Sequence, residues 1–233
     1  MEKKTTFRDL SEEEKKNYWH KRWQNRDFTF HLPEAHPDMV KHKDKFLKPK
    51  CRVFLPFCGK AVDLKYLADD GHDVVGCEVS NSAVLQFFEE QSIKFERSQH
   101  ATAPYEIFKA IDEKITIYKG DFFALDSSII GKFDAVWDRG AFVATDPSRR
   151  QEYIDVIYGF LNTGGKYLLQ TFQYEGNVSA TPFSTSPLEF GDIFGQKFNF
   201  SILQTYEDTE LSFVKKYNLP VASVTVTLLQ PRI

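Results

Sequence analysis

Between Val53 and Val79 the chain reads VFLPFCGKAVDLKYLADDGHDVVGCEV, and this stretch limits the possible folds more than any other. An apolar strand runs into a tight turn at Cys58-Gly59-Lys60, a helix follows, Gly71 breaks it, and a second strand ends on Glu78. That order is the unit that holds a nucleoside-containing ligand at the carboxyl ends of parallel strands. The turn lets a ligand approach the backbone, and an acid about 20 residues further on can take both ribose hydroxyls.

The other elements are placed relative to this unit. Ser11 followed by Glu14 is a capping signature for a helix running to about Trp23. Trp19 and Trp23 share one face of it, which suits either an amphipathic helix packed on the domain or a lid over a site. Phe28 and Phe30 follow in a loop, and a mostly polar helix is expected from Pro37 to Leu47. After the unit, Asn81 to Glu90 reads as a helix, and residues 91–114 as a short excursion with a surface helix. Strands are expected at 115–118, closed by Gly120-Asp121-Phe122-Phe123, then at 133–138 and 166–172. Helices are expected from Pro147 to about Leu161 and from Leu188 to Phe194. The last two strands, Phe198 to Tyr206 and Val221 to Leu229, are joined by a polar segment without a convincing helix, so they should be antiparallel.

Composition narrows the class. At 233 residues the chain suits one α/β domain. With 42% hydrophobic and 27% charged residues, a packed core is expected. A net charge of −3 argues against a general nucleic-acid or anionic-membrane binder. No apolar run is long enough to span a bilayer, and MEKKTTFRDLSEEEKK has no apolar core for a secretory signal. The expectation is a soluble cytoplasmic protein, monomeric by default. In such a protein the sequons Asn177-Val178-Ser179 and Asn199-Phe200-Ser201 are chance matches. Cys51, Cys58 and Cys77 read as buried thiols. His20, His31, His36 and His42 share no helical face and have no accompanying cysteine pattern, so no metal is expected.

Three strand ends converge in such a sheet: the turn at Phe57-Cys58-Gly59, then Glu78, then Asp121-Phe122. Taken singly they read equally as a plain turn, a helix-capping acid and a solvated loop residue. A pyrophosphate on a helix N-terminus usually requires G-x-G-x-x-G, and here the turn holds one glycine, Gly59. A phosphate-free cofactor carrying adenosine and an amino acid, S-adenosylmethionine, fits better than NAD. Its sulfonium over an aromatic face would gain about 0.5–2 kcal/mol, and Trp19, Trp23 and Phe30 are the candidates to cover it. The expected fold is a single-domain, Rossmann-like α/β class I methyltransferase spanning 1–233, with 11–48 as an N-terminal helical lid. Its sheet would be seven-stranded and mostly parallel, with helices on both faces and an antiparallel C-terminal strand.

The strings Leu55-Pro-Phe-Cys-Gly-Lys-Ala-Val-Asp-Leu and Gly71-His-Asp-Val-Val-Gly-Cys-Glu-Val-Ser resemble thiopurine S-methyltransferases. So do Trp19-x3-Trp23, Gly120-Asp-Phe-Phe, Trp137-Asp-Arg-Gly-Ala and the Pro182-Phe183 loop; plant thiol and halide methyltransferases share the broader pattern. The resemblance implies that Trp19 to Phe30 close over the cofactor, with Phe30 also facing substrate. It implies that Phe57 and Gly59 flank the methionine moiety, Glu78 binds the ribose, and Asp121-Phe122 contact adenine. Asp138 would lie at the cofactor's amino-acid end, and Arg139 beside the substrate near Phe183. Arg139 is the candidate catalytic residue, favouring a thiolate; the alternative for it is a salt bridge to Asp138 or Asp134. The implied activity is methyl transfer to a small aromatic or heterocyclic thiol. A halide or hydrosulfide methyltransferase and a non-catalytic S-adenosylmethionine-binding protein remain the competing readings.

Overall fold

A computed structural model describes residues 6–176, 178 and 180–232. Asn177 and Ser179, two of the three positions of the first sequon named above, lie outside the described residues. Nine strands form one sheet: β1 (Arg52–Leu55), β2 (Asp73–Glu78), β3 (Phe95–Gln99), β4 (Glu106–Ala110), β5 (Ile115–Lys119), β6 (Phe133–Asp138), β7 (Leu161–Gln173), β8 (Phe198–Asp208) and β9 (Ala222–Pro231). Their order across the sheet is β3-β4-β5-β2-β1-β6-β7-β9-β8. The five central strands β5, β2, β1, β6 and β7 pair in parallel, and β9 lies antiparallel between β7 and β8. Strand order reverses between β1 and β6, so a crevice opens there at the carboxyl ends.

The helices are α1 (Glu12–Gln24), α2 (Pro37–Phe46), α3 (Asp63–Asp69), α4 (Asn81–Glu90), α5 (Ser127–Ile130), α6 (Ala141–Ala144), α7 (Arg150–Phe160), α8 (Pro187–Phe194) and α9 (Ser212–Lys216). Alternation along the strands divides the core in two. Phe54 and Val75 join Phe133, Tyr153, Ile157 and Phe160 on the α7 face. Val53, Leu55 and Val74 pack with Met39, Leu64, Val84 and Phe87 on the face covered by α2, α3 and α4. Local chemistry sets the helix starts. The Ser11 hydroxyl accepts the Glu14 N–H (3.3 Å) while Glu14 accepts the Ser11 N–H (2.8 Å), closing the capping box of α1. His36 caps α2 through Nδ1, which accepts the Asp38 N–H at 3.2 Å, and Pro37 occupies the first turn.

Three expectations need correction. Among the described residues the sheet has nine strands where seven were expected. The two extra strands come from residues 91–114, which form the β3–β4 hairpin with no surface helix. β3 is polar and exposed on both faces apart from Phe95, so it carries no period-two signal. Its anchor is Phe95, whose ring packs tilted against those of Phe88 and Phe108. The link between β8 and β9 does contain a helix, α9, which is too short to show a helical period.

Candidate active site

The turn after β1 is shaped by backbone that few residues tolerate. Phe57 (φ 44°) and Gly59 (φ 53°) both adopt the left-handed region, which a bulky side chain rarely occupies. The Cys58 N–H donates to the Cys77 carbonyl at 2.9 Å, tying the turn to β2. A Cβ on Gly59 would sit 2.6 Å from the Trp23 ring, so the glycine makes room for that indole. One cavity of about 470 Å³ runs along the carboxyl ends of the strands from this turn. Trp19, Trp23, Phe30, Phe57, Gly59, Glu78, Asp121, Phe122 and Arg139 all line it.

Glu78 closes β2 and is buried. Its Oε2 accepts the Gly59 N–H (2.8 Å) and its Oε1 accepts the Ser80 N–H (2.7 Å), leaving each oxygen a further lone pair. Burial outweighs these bonds and pushes its pKa from 4.5 to about 7. Across the cleft, Asp121 Oδ1 accepts the Phe123 N–H at 3.0 Å, and the Phe122 ring meets Phe57 edge-on. Phe30 stands edge-on to both Trp19 (6.1 Å) and Trp23 (5.7 Å), making an aromatic corner.

Arg139 is half-buried and donates from Nη1 to the Phe30 carbonyl at 2.6 Å. Burial lowers its pKa while Asp63, Tyr206 and Asp38 oppose that, so the guanidinium stays charged. Neither alternative partner engages it among the described residues. The Asp134 carboxylate accepts from the Arg52 N–H and the Asn162 amide. Asp138 is fully buried: its Oδ1 accepts the N–H groups of Ala141 and Phe142, and its Oδ2 accepts the hydroxyls of Tyr153 (2.6 Å) and Tyr167 (2.7 Å).

Two expected site residues therefore stand outside the cavity wall. Asp138 is spent on fixing the start of α6 and two core tyrosines. Phe183 is buried under Phe7 and Arg8, and its neighbours Thr181 and Pro182 line the cavity instead. Conversely, Asp63, His36, Trp137 and Lys16 line the cavity although the sequence did not single them out for it. Asp63 Oδ1 accepts the His36 N–H at 2.7 Å, and burial raises its pKa despite bonds from that N–H and from the Trp137 side chain. Burial and the nearby Arg139 charge push His36 down to about 4, so it is neutral at pH 7. Asp63 sits within the quoted Cys-Gly-Lys string, and His36 directly precedes a proline-started helix; those were the available signals. Among the described residues no group of three or more His, Cys, Asp or Glu side chains could hold a metal, and no helix is long and apolar enough to cross a membrane.

Comparison with known proteins decides the family. The family model for thiopurine S-methyltransferase matches residues 14–230. The chain belongs to the thiopurine S-methyltransferase family. It is an S-adenosylmethionine-dependent methyltransferase of that family. The thiopurine S-methyltransferase of Rattus norvegicus is 38% identical over 196 residues, covering 82% of each chain. The probable thiopurine S-methyltransferase of Danio rerio is 36% identical over 206 residues, 87% of this chain and 86% of that one. Among solved structures, the fold matches a 1,6-didemethyltoxoflavin-N1-methyltransferase of Burkholderia thailandensis holding S-adenosylhomocysteine, with TM-score 0.65, 13% identity and 96% and 92% of the two chains covered. It also matches an S-adenosylmethionine-dependent methyltransferase from Anabaena variabilis, with TM-score 0.63, 15% identity and 98% of each chain covered. Without the β3–β4 hairpin, this family member's sheet order is third, second, first, fourth, fifth, seventh, sixth.

Proposed function

We propose that the protein methylates the sulfur of a small aromatic or heterocyclic thiol, using S-adenosylmethionine held in the cavity described above. Two observations fit that cofactor to this chain's residues. Glu78 keeps lone pairs free at the end of β2, and Gly59 lets the Trp23 indole close against the turn as part of the cavity wall. In this reading Glu78 takes the ribose hydroxyls, Phe57 and Gly59 flank the methionine moiety, and Asp121-Phe122 meet the adenine. Trp19, Trp23 and Phe30 form the aromatic wall beside the sulfonium. When bound, S-adenosylmethionine supplies an electrophilic methyl carbon on a cationic sulfur.

The observation that carries the thiol reading is Arg139, a charged, half-buried side chain that lines the cavity without an ion pair to Asp138 or Asp134. Its charge favours the thiolate over the thiol, and thiols with pKa near 8.5 are already partly ionised at neutral pH. No strong base is then required, and positioning supplies most of the rate. The cavity wall also includes Val143, Phe172, Leu211 and Phe213, an apolar surface suited to a ring more than to a bare halide. The test is a substrate panel of aromatic thiols, thiopurines, aliphatic thiols, selenols, iodide and hydrosulfide with labelled cofactor. Aromatic thiols should lead the panel, and Arg139→Ala should lower their turnover about a hundredfold. Iodide or hydrosulfide as the sole acceptor would overturn the thiol reading. Full activity of the Arg139→Ala variant at every pH would remove Arg139 from the mechanism.

A further inference from the structure

The cavity-facing surface of α1 has two chemistries. Glu12, Lys15, Lys16, Trp19 and Trp23 all line the cavity, and their spacing of three, four, seven and eleven from Glu12 places them on one helical face. The C-terminal half of that face is aromatic and covers the Gly59 turn. The N-terminal half is ionic. Lys16 Nζ lies 2.7 Å from Asp121 Oδ2, Lys15 Nζ lies 3.0 Å from Asp146 Oδ2, and Glu12 pairs with Arg149, whose guanidinium covers the Phe123 ring at 3.6 Å.

Of these pairs, Lys16–Asp121 ends on a carboxylate that the proposed function places at the adenine. Asp121 is fixed from the core side. Its carbonyl accepts the Tyr105 hydroxyl at 2.7 Å, and its Oδ1 accepts the Phe123 N–H. The lysine is the partner contributed by α1, and its hydrogen bond to Asp121 raises its pKa. We propose that Lys16 is a cofactor-positioning residue, holding Asp121 oriented towards the adenine edge and so coupling α1 to cofactor binding. Each Asp121 oxygen retains a lone pair for an exocyclic amine. A ligand over the pair displaces water, which strengthens the ionic contact in return, and the coupling is reciprocal by linkage.

This inference rests on the cofactor placement above, and the experiment separates the two. S-adenosylhomocysteine binding is measured by calorimetry, and its release by stopped-flow tryptophan fluorescence, at low and high salt. The proteins are the wild type, Lys16→Met, Lys16→Arg and Lys65→Met; Lys65 pairs with Asp69 on α3, in contact with neither α1 nor Asp121. Lys16→Met should weaken binding by about threefold to tenfold, mainly through faster release, and flatten its salt dependence. Lys16→Arg should recover most of the loss, and Lys65→Met should match the wild type. Unchanged binding and salt dependence in Lys16→Met would overturn the proposal, as would an equal loss in Lys65→Met. A change in the ligand-free unfolding temperature alone would reduce Lys16 to a structural contact. Failure of the wild type to bind S-adenosylhomocysteine would overturn the cofactor placement itself.

Discussion

Replacing Glu78 by Gln should shift the stability of the ligand-free protein relative to the wild type in the variant's favour as pH rises, while weakening cofactor binding. The Glu78 carboxyl holds its proton up to about pH 7 in the folded chain, against 4.5 ordinarily, because burial disfavours its charge. The folded state therefore binds more protons than the unfolded state between those values, and stability falls as pH rises through that window. At about 1.4 kcal/mol per pH unit, the wild type loses about 2.5 kcal/mol through this one group between pH 5 and pH 8. Glutamine does not titrate. Its own defect, an amide NH2 facing one of the two donors Gly59 N–H and Ser80 N–H, is the same at both pH values and cancels in the comparison. For a chain of this size the stability difference between variant and wild type should shift by about 5–10 °C in unfolding temperature between pH 5 and pH 8, in the variant's favour at pH 8. Calorimetric melts at the two pH values measure it, and S-adenosylhomocysteine titration should show at least about tenfold weaker binding to the variant. An offset identical at pH 5 and pH 8 would refute the buried-charge argument. Unchanged ligand affinity would refute the ribose role.

Gly59→Ala should shift the Trp23 indole and add about 1–2 kcal/mol of left-handed strain, seen as a lower denaturant midpoint together with weaker S-adenosylhomocysteine binding. Asp138→Asn disturbs four hydrogen bonds in the core and should cost about 2–4 kcal/mol in urea unfolding, with the folded protein's cofactor affinity nearly intact. Collapse of that affinity with stability preserved would instead put Asp138 at the cofactor. His36 acts on stability in the opposite sense to Glu78. Its folded pKa of about 4 lies below the ordinary 6.5, so its contribution is present above pH 6.5 and is lost as pH falls. His36→Asn keeps a residue able to cap α2 and should lose less stability than the wild type between pH 6.5 and pH 5; equal losses in denaturant melts would contradict this.

The parts of the fold legible in the sequence were those with strong local signals. Asn81–Glu90 and Phe133–Asp138 form where their apolar spacing placed them, and the Ser11–Glu14 box starts α1. The hairpin at 95–110 escaped because β3 takes its stability from ring contacts with residues seven and thirteen positions away from Phe95, not from an alternating face of its own. At the site, Glu78 and Asp121 were legible because strand ends are marked by the acids themselves. Asp138 ends its strand with the same residue type, yet Tyr153 and Tyr167 consume its carboxylate, and both come from elements that local pattern cannot place beside it. Lys16 carries no signal of its own in the sequence. Its place on the cavity wall depends on which side of α1 faces inwards, and that is set by tertiary packing.

The two margins of the sheet are protected to different degrees against pairing with a foreign strand. On one side the hairpin covers β5, whose Ile115 and Ile117 are buried, and leaves β3 as the border. The β3 sequence FERSQ carries Glu96 and Arg97, charges that discourage a further strand from adding. On the other side β8 forms the border for eleven residues, with Phe200 and Ile202 exposed. A register irregularity between Ile202 and Gln204 interrupts its run of backbone hydrogen bonds, but no charge stands on the apolar stretch itself. Aggregation from partly unfolded chains should therefore nucleate at β8, and a lysine in place of Ile202 is the substitution that would make this border resemble the opposite one.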